Sequence, residues 1–188
     1  MTAAALLQSV VRALDATGIP FMLTGSLAAA YHGAGRATMD IDVVIDPTAS
    51  QLTALLESLA APGIYVSHGA ATDALVHRSM FIVIDVASGW KADLIVRKNR
   101  PFSENEFRRR REGEYEGCPL WVTTVEDLIV AKLEWAKLGA SARQLEDVAE
   151  LLRLHDESLD HGYLERWIDE LGLSAQWQDA RGPGNRDE

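Results

Sequence analysis

Apolar residues recur at helical spacing over residues 3–17, through Leu6, Val10 and Leu14, and the period stops at Gly18. Pro20 then opens a short apolar run over 21–23, which predicts a strand. An Ala-rich stretch at 27–32 has helical character until Gly33 and Gly35 break it, and a second apolar run ends at Asp46-Pro47. Leu52, Leu55, Leu56 and Leu59 fall on one face of a predicted helix over 50–59, capped by Thr48 or Ser50 and stopped by Pro62-Gly63. Residues 64–67 predict a short strand. The 69–79 segment is ambiguous, with a helical turn at 72–76 as one reading. Residues 80–87 and 91–96 read as two strands joined by Ser88-Gly89-Trp90, a hairpin.

Beyond the hairpin, Ser103 is expected to cap a short helix with Glu104 and Glu106 in its first turn, and 120–122 to form a strand. From Thr124 the pattern turns helical. One helix has Leu128, Ile129, Leu133, Trp135 and Leu138 as its apolar face, a second covers 142–155 after Ser141, and a third covers 159–171 up to Gly172. A short fourth is expected at 174–179, followed by a disordered tail at 181–188. The expected architecture is α/β (α+β): a small mixed twisted sheet in a domain over 1–122, then a C-terminal helical bundle over 123–180.

Composition narrows the class. With 188 residues and 47% hydrophobic content the chain can bury a sizeable core. Its single cysteine, Cys118, excludes an internal disulfide framework and suits a reducing compartment. No signal peptide or membrane span is read, so the expected location is the cytoplasm, with no membrane partner. A net charge of −10 and a pI near 4.9 argue against broad nucleic-acid binding. The basic concentration at Arg97, Lys98, Arg100 and Arg108 through Arg111 could grip phosphates, or could be a solvated face paired with acids. His68 and His77 lack companions at ligand spacing and read as ordinary histidines. Cys118 has no nearby base and reads as a small packed residue.

The chemistry concentrates in residues 21–46, FMLTGSLAAAYHGAGRATMDIDVVID. Residues two apart on a strand share a face, so Asp40 and Asp42 project together while Ile41 faces the core. Two adjacent carboxylates repel, and a cation relieves that repulsion. Oxygen-only ligands favour Mg²⁺ or Mn²⁺. Gly25-Ser26 at a helix start offers backbone N–H groups and a hydroxyl to an anion. A phosphate-binding turn facing a metal-binding strand describes a metal–nucleotide site.

Gly25-Ser26 followed at distance by Asp40-Ile41-Asp42 resembles the signature of the nucleotidyltransferase superfamily with the polymerase-beta-like fold. The Arg36-x-Thr38-x-Asp40-Ile41-Asp42 form is similar to the branch containing abortive-infection toxins of the AbiEii type. The resemblance implies a further carboxylate on a later strand, for which Ile84-Asp85-Val86 and Ala92-Asp93-Leu94 both qualify. Asp93 is favoured because the acid follows the hairpin in relatives, and Asp85 is then expected on the far side of the hairpin or facing solvent. Asp127 to Lys132 and Arg143 to Val148 resemble a C-terminal motif in which Lys132 would contact the triphosphate and Asp147 would orient Lys132 or the substrate. The bland alternative is an interhelical salt bridge.

What the resemblance implies is transfer of an NMP from an NTP to a hydroxyl of an RNA end, a protein or a small molecule. Asp40, Asp42 and Asp93 would be catalytic and hold Mg²⁺ or Mn²⁺. Gly25, Ser26, Arg36, Thr38, Lys132 and Asp147 would bind nucleotide. The rival expectations are a non-catalytic nucleotide-binding or partner-binding member of a toxin–antitoxin pair, and a ligand-binding domain with coincidental motifs.

Overall fold

The computed structural model describes residues 2–35, 38, 40–139 and 141–182. The expected tail at 181–188 therefore lies outside the described residues beyond residue 182. The chain divides into a unit of residues 1–27 and 37–123 and a unit of residues 28–36 and 124–188.

The first unit is built on pairing between β2 (Asp40–Ile45) and β5 (Lys91–Val96), parallel and in register over the full length of both. Around this pair run β1 (Phe21–Thr24), β3 (Ile64–Val66), β4 (Met80–Asp85), β6 (Arg111–Tyr115) and β7 (Cys118–Val122). The strand order is β3-β4-β5-β2-β1-β7-β6. The β1–β7 pair is also parallel, whereas β1–β2, β3–β4, β4–β5 and β6–β7 are antiparallel. This is the expected mixed sheet.

Alternation decides the faces. Ile41, Val43 and Ile45 of β2, Ala92, Leu94 and Val96 of β5, and Phe81 and Val83 of β4 are all buried and share one face by register. Helices α1 (Ala3–Ala16) and α4 (His68–His77) pack on the sheet, with α3 (Ala49–Ser58) beside them. Each fully buried Leu or Ile contributes about 2 kcal/mol, so this face holds the unit together. On the other face Met22, Val44 and Ile95 form a smaller cluster with Phe107 of α5 (Pro101–Arg109). That face also carries Thr24, Asp40, Asp42, Lys91 and Asp93, with Met80, Ile82 and Ile84 of β4 beside them.

Several elements differ from expectation. The ambiguous 69–79 segment is the full helix α4, capped by Ser67, whose Oγ accepts from Ala70 N at 3.3 Å. Small residues mask its period, because only Ala71 and Ala74 are buried. Helix α5 begins at Pro101 rather than at a Ser103 cap. Proline suits the first helical position, and Ser103 is buried, accepting from Arg100 Nε at 3.0 Å. Strand β6 was unforeseen, since its sequence REGEY has no apolar alternation. It is an edge strand, paired to β7 through backbone bonds and a turn in which Glu116 (φ 47°) and Gly117 (φ 76°) both take left-handed conformations.

The second unit contains α6 (Val125–Gly139), α7 (Ala142–His155), a single 3₁₀ turn (Asp156–Ser158), α8 (His161–Leu171) and α9 (Ser174–Arg181). Helix α2 (Gly25–Tyr31) spans the boundary between the units. The α6 stripe is not the expected one. Trp135 is 51% and Leu138 71% exposed, while Leu128, Ile129, Lys132, Leu133 and Ala136 are buried. Helix α8 starts after Asp160, which accepts from Tyr163 N at 2.9 Å, rather than at Leu159. Among the described residues no helix is long and apolar enough to cross a membrane.

A buried carboxylate ties α6 to α8. Asp127 is fully buried and accepts from Thr124 Oγ1 at 2.6 Å and from the Tyr163 hydroxyl. A hydrogen bond to a buried charge stabilises by about 2 kcal/mol. Tyr163→Phe is expected to lower unfolding stability by about that amount, read as a shifted urea midpoint at unchanged slope.

Candidate functional site

The polar face of the sheet follows from register. Thr24, Asp42 and Asp93 stand side by side across β1, β2 and β5, with Ile82 of β4 next in the row. In the adjoining row Asp40 stands beside Lys91, with Ile84 next. Neighbouring strands lie about 4.8 Å apart, so Asp40, Asp42 and Asp93 form one patch. Period two predicted the first pair. The third depended on a parallel pairing between segments about fifty residues apart, which no local pattern encodes.

Asp85 lies elsewhere. By alternation it shares the helix-covered face with Phe81 and Val83, and it is 4% exposed rather than solvent-facing. The Ser88 hydroxyl donates to its carboxylate and Gly89 N donates to its carbonyl at 2.8 Å, so it shapes the β4–β5 turn. The Ser88 bond holds the Asp85 carboxyl below its ordinary value.

Burial, and after it the charge of Asp40, pushes the Asp93 carboxyl above its ordinary value, while Lys91 offsets part of the rise. Asp40 Oδ1 and Asp93 Oδ1 are shut off from solvent; Asp93 Oδ1 accepts no hydrogen bond, and Asp40 Oδ1 has the Lys91 ammonium 3.2 Å away. Buried acceptors without a donor are rare in folded proteins and call for an explanation. Among the described residues no three His, Cys, Asp or Glu side chains already form a ligand cage. Magnesium does not need one, since it takes one or two carboxylates and fills its remaining positions with substrate phosphates and water. Asp93 Oδ1 without a donor, beside Asp40 and Asp42 in the same patch, fits that demand.

Gly25 begins α2 at the end of β1 with φ +65°. A Cβ there would stand 1.9 Å from Asp42 Oδ2, so the Asp42 carboxylate packs against the glycine backbone. Gly25 and Asp42 are thus one constraint, although 17 positions separate their numbers. Ser26 follows in the first turn of α2 and is buried. Thr38 acts on the backbone: its Oγ1 accepts from Asp40 N at 3.2 Å and donates to Asp40 O at 3.3 Å, holding the entry to β2. Arg36 lies outside the described residues.

Lys132 and Asp147 belong to the second unit, where the structure buries both, at 2% and 6% exposure. Lys132 Nζ donates to Asp147 Oδ2 at 2.6 Å and to Gln144 Oε1 at 3.1 Å, an ion pair between α6 and α7. Lys91 was missed by the sequence reading. Its signal was its position two before Asp93, on the same face of the strand.

Most of the basic run is engaged inside the first unit. Arg97 binds Asp46 Oδ2 at 2.9 Å, and Arg78 binds Asp46 Oδ1 at 3.3 Å. Arg110 stacks over Phe107 and Trp121, 4.4 and 5.0 Å from the ring centroids. Arg108 reaches Asn105 Oδ1 at 3.5 Å. The exposed His77 contacts Asp73 Oδ1 at 3.1 Å. Burial raises the Cys118 thiol above its ordinary value, which keeps it protonated and unreactive.

Two outcomes are expected. Gly25→Ala places a side chain on Asp42 at a left-handed position and is expected to lower stability by about 2 kcal/mol or more, measured by thermal unfolding. Because folding raises the Asp93 carboxyl, the fold favours its protonated form. That contribution is present at low pH and is lost as pH rises through the raised value. Asp93→Asn is therefore expected to match wild type at pH 3 and to be the more stable at pH 7 in chelator, compared by urea denaturation.

No protein-family model and no curated protein sequence matches the chain. Solved structures do. The crystal structure of ANT(2″)-Ia in complex with adenylyl-2″-tobramycin aligns at TM-score 0.62 and 14% identity, over 95% of this chain and 100% of that one. The solution structure of the antibiotic-resistance factor ANT(2″)-Ia aligns at 0.60 and 16%, over 91% of each chain. An antigenic nucleotidyltransferase-like protein from Paracoccidioides brasiliensis aligns at 0.58 and 16%, over 93% of this chain and 91% of that one. At such identities the likeness is one of architecture, and the chain has the fold of these nucleotidyltransferases.

Proposed function

We propose that the chain is a metal-dependent nucleotidyltransferase that moves an NMP from an NTP to a hydroxyl of a small-molecule acceptor. The observation that carries this reading is the patch of Asp40, Asp42 and Asp93 on one sheet face, with a buried Asp93 oxygen lacking a donor. The fold neighbours support the reaction class, and the adenylylated tobramycin bound to ANT(2″)-Ia supports a small hydroxyl-bearing acceptor. A net charge of −10 suits a cationic acceptor better than RNA. The internal engagement of Arg97, Arg108 and Arg110 points the same way.

In this reading Asp40, Asp42 and Asp93 hold Mg²⁺ or Mn²⁺. The bound ion supplies charge neutralisation at the triphosphate and lowers the pKa of the acceptor hydroxyl. Asp93 would have a second use, since a carboxylate beside the acceptor hydroxyl could take its proton. Gly25 and Ser26 take the phosphate side through the backbone N–H groups at the start of α2. Arg36 would add charge there. Thr38 keeps Asp40 in place through the backbone. We assign Lys132 and Asp147 to holding α6 against α7 rather than to the triphosphate, because breaking a buried ion pair is costly.

Calorimetric titration with each NTP, with and without Mg²⁺, tests the reading. Wild type is expected to bind at least one NTP only when metal is present. The Asp40→Asn/Asp42→Asn variant, folded by circular dichroism, is expected to lose that binding by about a hundredfold or more, as when charge-assisted contacts are removed. A folded wild type that binds no NTP, or a double variant that binds as well as wild type, would sink it.

A further inference from the structure

The carboxylate patch carries a cation of its own. Lys91 opens β5 directly across from Asp40 in the parallel register, and its ammonium stands 3.2 Å from Asp40 Oδ1. The contact falls outside hydrogen-bond geometry and is an ion pair. Both side chains are close to half exposed, 44% for Lys91 and 46% for Asp40. The lysine stem can therefore swing away without opening the core.

We propose that Lys91 is a displaceable counter-ion, which holds Asp40 in the nucleotide-free protein, yields that carboxylate to the divalent cation, and then offers its ammonium to a phosphate oxygen. This rests on the metal–nucleotide reading above and extends it to a positioning residue outside both motifs. An ammonium and a divalent ion compete for one carboxylate, so metal arriving alone must break the pair. A nucleotide arriving with the metal brings anionic oxygens for the freed ammonium, which removes that penalty. Metal alone is then held weakly and metal with triphosphate tightly. Lysine suits the task better than arginine, being a compact charge on a flexible stem rather than a fixed fork. Without Lys91 the patch would repel itself more strongly in the empty state, since its ammonium is the positive charge 3.2 Å from Asp40 Oδ1.

The test measures Mn²⁺ binding to metal-stripped protein by electron paramagnetic resonance, then tripolyphosphate binding at saturating Mn²⁺ by calorimetry. It compares wild type, Lys91→Met, and Lys98→Met as an exposed control with the same charge change beyond the end of β5. Lys91→Met is expected to bind Mn²⁺ alone about two- to fivefold more tightly, the range set by an exposed ion pair, and to bind tripolyphosphate more weakly. Lys98→Met is expected to move neither comparably. Lys91→Gln repeats the comparison if the methionine variant fails to fold. Equal Mn²⁺ affinity in wild type and the Lys91 variants overturns the displacement, and so does a Lys98 variant that matches them. A wild type that binds no Mn²⁺, with or without tripolyphosphate, overturns the metal-site reading itself and this inference with it.

Discussion

Everything at the candidate site depends on the parallel register of β2 and β5. Six residues pair in each strand, and the two-residue period sends Ile41, Val43, Ile45, Ala92, Leu94 and Val96 to the helix-covered face. A slip of one residue would expose that apolar set and bury carboxylates in its place. Hydrophobic burial on one face thereby fixes where Asp42 and Asp93 meet on the other. The close approach of Asp42 to Gly25 then dictates a glycine where β1 passes into α2. The placement of the carboxylate patch is a by-product of the core on the far side of the sheet.

Two kinds of carboxylate stand out among the described residues. Asp46 is bound by Arg78 and Arg97, Asp127 by Thr124 and Tyr163, and Asp147 by Lys132. These carboxylates are matched by donors within the fold and act as fasteners. Asp93 keeps a buried oxygen without a donor and its carboxyl is destabilised by burial and by its neighbour, while Asp40 is paired with a lysine that is itself close to half exposed. Local rules are broken in a protein mainly where function requires it. The contrast separates structural acids from candidate ligands without appeal to any motif, and it selects members of the same trio that the motif selects.

Helix propensity and strand alternation made most elements legible, and Gly25-Ser26 with Asp40-Ile41-Asp42 could be read from one short stretch. The failures share a cause. Strand β6 is charged along its length because an edge strand is held by backbone pairing, which leaves no side-chain period to read. Helix α4 buries alanines, whose small size weakens its apolar stripe. In α6 the inward position belongs to Lys132 while Trp135 and Leu138 face outward, because Asp147 on α7 supplies a partner that makes a buried lysine tolerable.

The sequence alone determined that two carboxylates share a strand face and that a Gly-Ser turn precedes them, since both follow from nearest-neighbour geometry along the chain. Only the tertiary structure decided that Asp93 rather than Asp85 joins the pair, that Lys91 neutralises Asp40, and that Lys132 is committed to Asp147. These are contacts between segments brought together by sheet register and helix packing. Residue order records which groups are available, while the burial of apolar faces decides which of them meet.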